Sequence, residues 1–380
     1  MGVLVKPKIK IVHVAPYFES GNPFGGPLSV AMNIVNQLNM CGEPAFLIAS
    51  TRSTDKFIEG VHSKLFRGFR IYNNNKLTGL FSPFLIAWII KNKNKIEILH
   101  IHLAREMNTM LSALFARILG IKYVIQTHGM IRKPKNRVES LFDLILTRRV
   151  LRNSLAVLYL TSSEKRRLET VEIRSKYMQF SNAIELNCAQ IDFSKKKSEV
   201  IFISRIHRDK QPNVFVEIAL EIALKYRKTQ FSIIGPDGGK LNEVLNLISL
   251  SESSNVCYEG TLNTKEVQNR LLRSSIFVLP TLGDVFPIAI LEAMASGCAI
   301  VTTSACEISN IIEENQLGVV TSPSKWDIRK AIEFLINDPY TTLEMGNRAH
   351  SYALKNFDIK KSTLWLLSNI YRISDRSNNV

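Results

Sequence analysis

Two acidic residues with seven others between them, Asp284 and Glu292, stand in the run TLGDVFPIAILEAMASGCAIVTT at residues 281–303. The preceding apolar stretch 276–279 reads as a buried strand that ends at Pro280, and Pro287 suits the first turn of a helix continuing to about Ser296. Asp284 therefore falls on a loop and Glu292 inside a helix. Main-chain N–H groups at such a helix start, around Val285, Phe286, Pro287 and Ile288, favour an electronegative ligand, although Pro287 itself has none to give. Carboxylates beside those donors are suited to grip hydroxyl groups, each oxygen accepting a hydrogen bond from a neutral O–H. The plainer reading makes Asp284 a helix cap and Glu292 a surface residue.

A second pair of charges, Arg205 and Lys210, lies in FISRIHRDKQ at residues 202–211, just past another apolar run. Fixed cations there would suit an anionic ligand. Arg/Lys pairs after strands are also common on ordinary surfaces. Gly25 and Gly26 in NPFGGPLSVAMNIVNQL precede a helix-like segment, where a side chain would keep a ligand away from the backbone. His128 in QTHGM and Gly235 in IIGPDGG both follow strand-like runs, the place where open α/β sheets bind ligands. The spaced glycines of a dinucleotide fingerprint and the GK[ST] ending of a P-loop are both absent, so neither hydride transfer nor ATP hydrolysis is indicated.

The elements that must carry these residues form a repeating pattern. Short apolar runs at 10–15, 45–49, 96–101, 123–127 and 156–160 alternate with amphipathic stretches such as 27–39 and 108–119. The rhythm breaks at the polar stretch 187–198 and resumes with runs at 200–203, 230–234, 256–258, 276–279, 299–302 and 318–320. This predicts an α/β protein of two Rossmann-like domains, 1–186 and 199–357, joined by a linker at 187–198. The segment 358–380 carries a helical stripe expected to pack back on the first domain. A chain of 380 residues also exceeds what one core organises, which favours two domains.

The five cysteines make neither a CxxC pair nor a His/Cys cluster at ligand spacing, so no metal site is expected and a reducing compartment fits. The N-terminal run lacks the order of a signal peptide, and no apolar stretch approaches the ~20 residues that span a bilayer. A cytoplasmic protein is expected. The net charge of +16 is lopsided, with 27 Lys+Arg against 12 Asp+Glu up to Glu185 and 22 against 21 beyond it. A basic first domain fits phosphorylated, lipid-headgroup or nucleic-acid partners, or solvated surface charge alone. No interleaved aromatics or binding module support nucleic acid.

Taken in order, these segments resemble the family 4 glycosyltransferases, which have the GT-B fold with two Rossmann-like domains facing each other across a cleft. Residues 284–292 resemble the family's acidic-x7-acidic motif, with Asp284 where Glu is usual. FISRIHRDKQ resembles the diphosphate-holding motif, with Ser204 and Gln211 where glycines are usual. The Gly25–Gly26 pair resembles the acceptor-domain loop, His128 the histidine that contacts the donor sugar, and Gly235 the turn beside base and diphosphate. The family's glycine pair after residue 302 is missing, and Glu307 is left outside the site.

The resemblance implies a metal-independent, retaining transfer of a sugar from a nucleotide-diphosphate donor, with a UDP-sugar expected and no further cofactor. The acceptor is a saccharide or lipid-linked saccharide in cell-surface polysaccharide or lipopolysaccharide biosynthesis. Basic amphipathic stretches at 81–95 and 132–152 add an expected peripheral contact with an anionic inner membrane face. The alternatives are a non-catalytic sugar-nucleotide binder and a GT-B sugar-nucleotide epimerase.

Overall fold

Short runs buried on both faces leave a strand no solvated side, and here such runs pair into parallel sheets covered by helices. The computed structural model describes residues 10–18, 26–70, 80–134, 136–186, 191–251 and 253–371. The chain divides into two units, Met1–Glu185 with Ile359–Val380, and Leu186–Asp358.

The strands of the first unit are β1 (Ile11–Phe18), β2 (Ala45–Thr51), β3 (Ser63–Arg67), β4 (Phe69–Arg70), β5 (Leu80–Phe81), β6 (Ile98–His102), β7 (Lys122–Gln126), β8 (Val157–Tyr159) and β9 (Tyr177–Gln179). Seven of them form one parallel sheet in the order β3-β2-β1-β6-β7-β8-β9, while β4 and β5 make a short antiparallel ribbon. Strand order reverses between β1 and β6, the switch point at which such sheets open a crevice. Val12, Val14, Leu99, Ile101 and Ile125 fill the core beneath it. The helix Met107–Ile118 begins where the Glu106 carboxylate accepts hydrogen bonds from the N–H groups of Asn108 (2.9 Å) and Thr109 (2.6 Å).

The second unit holds β10 (Lys197–Ile203), β11 (Gln230–Ile234), β12 (Val256–Tyr258), β13 (Ser274–Leu279), β14 (Ala299–Thr303) and β15 (Gly318–Thr321). They pair in parallel in the order β12-β11-β10-β13-β14-β15, with the switch between β10 and β13. Phe202 of β10 stacks on Phe215 at a centroid distance of 5.6 Å. Each ring is fully buried, which contributes about 1.5–3 kcal/mol. After this unit the chain re-enters the first, where Ile359 N–H donates to the Ile184 carbonyl (3.0 Å) and Trp365 stacks on Phe180.

Several elements differ from the sequence expectation. Strands β3 and β9 and the β4–β5 ribbon carry too few apolar residues to stand out. β10 starts at Lys197, not at residue 200, so the expected linker loses its end to the sheet. Its lysine run is not solvated throughout: Lys196 Nζ donates to the carbonyls of Ser296 (2.6 Å), Ser274 (2.7 Å) and Leu271 (3.1 Å). Pro287 precedes the helix Ile288–Ala295 as its cap instead of lying in the first turn.

Close packing also explains particular glycines. A methyl group added at Gly346, in the helix Pro339–Asn356, would stand 2.4 Å from the Gly297 carbonyl oxygen, whereas one added at Gly26 meets open space. Gly346→Ala should therefore cost about 3 kcal/mol in urea unfolding, and Gly26→Ala should leave the midpoint within error of the parent.

Candidate functional site

In the second unit the site residues gather at the carboxyl ends of β10, β11 and β13, because the strand order places these three side by side. Lys210 ends a short 3-10 turn, Arg208–Lys210, and its Nζ forms an ion pair with Asp284 Oδ1 on the loop after β13. Both side chains are mostly buried, at 16% and 19% exposure, so this pair spans the switch point largely out of water. Asp284 Oδ2 is buried and has no hydrogen-bond partner among the described residues, which leaves an acceptor available at the same place.

Arg205 follows β10 and is half-buried. The loops after β10 and β11 are knitted together through the main chain: Ile206 N–H donates to the Pro236 carbonyl (2.9 Å) and Ser204 N–H to the Ile234 carbonyl (3.1 Å). Gly235 sits at this contact with φ +143°, and a Cβ there would lie 1.9 Å from the Ser204 carbonyl oxygen. Only glycine permits that approach. Gln211, where the resembled motif has glycine, adopts the left-handed conformation (φ 51°) that a glycine would take freely.

Glu292 lies inside the helix Ile288–Ala295, half-buried, and burial alone pushes its carboxyl up to about 7. Near neutral pH it therefore both donates and accepts hydrogen bonds, as a sugar diol requires. Val285 and Phe286 have buried side chains, and Phe286 packs edge-on against Phe357 at 5.7 Å. What these two residues present at the helix start is main chain. Glu307, set aside on the sequence, also belongs beside this loop: its N–H donates to the Asp284 carbonyl (2.8 Å). The signal that could have found it is its place after β14, one strand beyond β13.

The remaining residues lie in the first unit. Gly25 falls outside the described residues, and Gly26 opens the helix Gly26–Met40. His128 follows β7 in a left-handed turn, φ 49°, continued by Gly129 at φ 72°. The buried Glu164 carboxylate holds that turn, accepting from Thr127 Oγ1 (2.6 Å), Gly129 N–H and Leu160 N–H (2.7 Å). Behind His128 the sequence reading missed three more histidines, His13 on β1 and His100 and His102 on β6, all fully buried. The rings stack, His13 on His100 at 4.5 Å, His100 on His102 at 4.8 Å and His102 on His128 at 5.1 Å. Histidines two apart in the apolar run ILHIHL were the available clue.

Burial holds all four rings uncharged: His100 and His128 are lowered to about 3, and His13 and His102 well below their ordinary value. Among the described residues no group of three His, Cys, Asp or Glu is arranged to hold a metal ion.

A pH dependence follows from these groups. A depressed histidine contributes stability that is complete above its unfolded value of about 6.5 and is lost as pH falls toward 3. Glu106 and Glu292, both raised by burial to about 7, act oppositely, stabilising below about 4.5 and losing that contribution as pH rises through 7. Near pH 5.5 the four histidines outnumber the two carboxyls, so unfolding should take up about two protons and the melting temperature should fall from pH 7 to 5. Calorimetry in buffers of different ionisation enthalpy reads this directly, and a melting temperature that stays level would mean that the rings are charged in the folded protein.

Residues 24–187 match the model of Glycosyltransferase Family 4, and residues 184–355 match that of Glycosyl transferases group 1. The chain is 24% identical over 309 residues to the alpha-D-kanosaminyltransferase of Streptomyces kanamyceticus, covering 72% of this chain and 78% of that one. Among solved structures, sucrose-phosphate synthase from Thermosynechococcus elongatus superposes with a TM-score of 0.78 at 15% identity, over 97% of this chain and 100% of that one. HepE of Anabaena in complex with UDP-glucose superposes with a TM-score of 0.75 at 15% identity, over 95% and 100%. With both of its Rossmann-like units matched in this way, the chain is a glycosyltransferase of the family 4, GT-B type.

Proposed function

We propose that this glycosyltransferase moves a sugar from a UDP-sugar, with retention of configuration, to a saccharide or lipid-linked saccharide in cell-surface polysaccharide synthesis. The observation that carries the donor half is the Lys210–Asp284 pair at the switch between β10 and β13, with Arg205 on the adjoining loop. In this reading Lys210 and Arg205 face the departing diphosphate, and the first turn of the helix Ile288–Ala295 adds its unpaired N–H groups. Glu292, able to donate and accept, holds hydroxyls of the sugar, and the main chain at Gly235 lies beside the diphosphate; His128 and the main chain at Gly26 are the ligand contacts of the first unit. The nucleotide follows the UDP-glucose of the HepE structure. Retention follows the family resemblance, with the diphosphate taking the acceptor's proton on the face it leaves.

Removing a cation that acts only as charge develops should lower the turnover number more than it weakens binding. Lys210→Ala is expected to reduce kcat by about 100-fold, and Glu292→Gln by about 10-fold with a raised KM for the donor. Steady-state transfer with UDP-sugars measures both. Unchanged rates in the two variants would place the chemistry elsewhere.

The acceptor half rests on a surface of the first unit. Leu141, Leu144 and Ile145 are each more than half exposed, and with the exposed Arg148 and Arg149 they recur at helical spacing from Arg137–Phe142 to Arg148–Arg152. Adjacent apolar side chains bordered by arginines suit a peripheral seat on an anionic leaflet at the inner membrane face. No helix among the described residues is long and apolar enough to cross a membrane. Flotation with vesicles containing phosphatidylglycerol at low salt should carry the protein upward. Leu144→Glu combined with Ile145→Glu should leave it in the pellet fraction, and equal flotation of both proteins would refute this surface.

A further inference from the structure

The four stacked histidines are joined end to end by hydrogen bonds. His128 Nε2 meets His102 Nδ1 at 2.8 Å, and His102 Nε2 meets His13 Nδ1 at 3.1 Å. His13 Nε2 meets the Tyr371 hydroxyl at 3.3 Å, and that hydroxyl meets His100 Nδ1 at 2.6 Å. Tyr371 comes from the C-terminal segment that re-enters this unit after Ile359.

A neutral imidazole has one N–H and one lone pair. Four links through uncharged rings then allow two unbroken proton orders, every proton pointing away from His128 or every proton pointing toward it. Two observations choose the first. An O–H donor makes the shorter bond, so the 2.6 Å contact is Tyr371 O–H donating to His100 and the 3.3 Å contact is His13 N–H donating to Tyr371. At the near end, His128 Nδ1 is buried with no hydrogen-bond partner among the described residues, and an orphaned lone pair costs less than an orphaned N–H. Burial also keeps Tyr371 protonated, its phenol raised well above the ordinary value.

We propose that His102, His13 and Tyr371 are positioning residues that lock His128 in its Nε2–H tautomer, so that Nδ1 is a fixed hydrogen-bond acceptor for a sugar hydroxyl. The ring then accepts from an O–H and repels an anionic phosphate oxygen at that atom. A solvated histidine would instead protonate and attract the phosphate. The file thus assigns the His128 end of the ligand to a neutral hydroxyl. This rests on the reading of His128 as a contact to the donor sugar.

Two measurements separate the parts. In the full-length labelled wild type, nitrogen–nitrogen couplings across hydrogen bonds should link His128 Nε2 to His102 Nδ1 and His102 Nε2 to His13 Nδ1. His128 should keep its proton on Nε2 from pH 5 to 8 and with UDP added. Missing couplings, a proton on Nδ1, or titration near 6.5 would overturn the lock itself while leaving the transferase reading intact.

The second measurement is a double-mutant cycle in donor turnover. Tyr371→Phe, which keeps the ring and removes the hydroxyl, should lower kcat about 10-fold with the donor KM within about two-fold. It should add nothing to His128→Ala. Should Tyr371→Phe fail to fold, His100→Leu, which removes the partner of the Tyr371 hydroxyl, replaces it in the cycle with the same expectation. Effects that multiply would overturn the positioning role. Intact couplings with unchanged transfer in His128→Ala would refute the sugar contact, and with it the role of the file.

Discussion

A parallel strand covered by helices on both faces can present its chemistry to a ligand only at its carboxyl end, and in this protein Arg205, Lys210, Asp284 and His128 obey that constraint. Each sheet reverses its strand order once, between β1 and β6 and between β10 and β13, so neighbouring loops diverge there. Lys210 and Asp284 face each other across one such divergence, and the histidine file lies across the other. The close main-chain contact of Gly235 with Ser204 keeps the β10 and β11 loops at that height.

The two candidate clusters handle buried polar groups differently. At Lys210 and Asp284 opposite charges are paired, which offsets part of the desolvation cost of each and leaves Asp284 Oδ2 without a hydrogen-bond partner among the described residues. In the histidine file the titratable groups are kept uncharged and chained together. A paired charge can be redirected toward a diphosphate when one arrives. A neutral chain instead fixes direction and cannot follow the ligand's charge.

How much of this was legible depended on whether a residue's role is local. The strands β1, β2, β6, β7, β11 to β15 and the helices around residues 27–39 and 108–119 announced themselves through uninterrupted apolar runs and helical periodicity. Strands β3 and β9, each with exposed or half-exposed positions, did not. Gln211 looked like the loss of a glycine, yet it adopts a left-handed conformation, φ 51°, that its side chain did not signal. Lys196 looked like linker because its charge is polar in sequence, yet three carbonyls accept from it.

Composition, periodicity and ordered motifs were enough to establish two Rossmann-like domains and to nominate Arg205, Lys210, Asp284, Glu292 and His128, because each of those signals lies within a few consecutive residues. Tertiary structure alone decided that Lys210 meets Asp284 across 74 positions and that Tyr371 reaches His13 across 358. Hydrogen bonds and ion pairs act over about 3 Å of space, with no regard for separation along the chain, and only the pairing order of the strands converts one distance into the other.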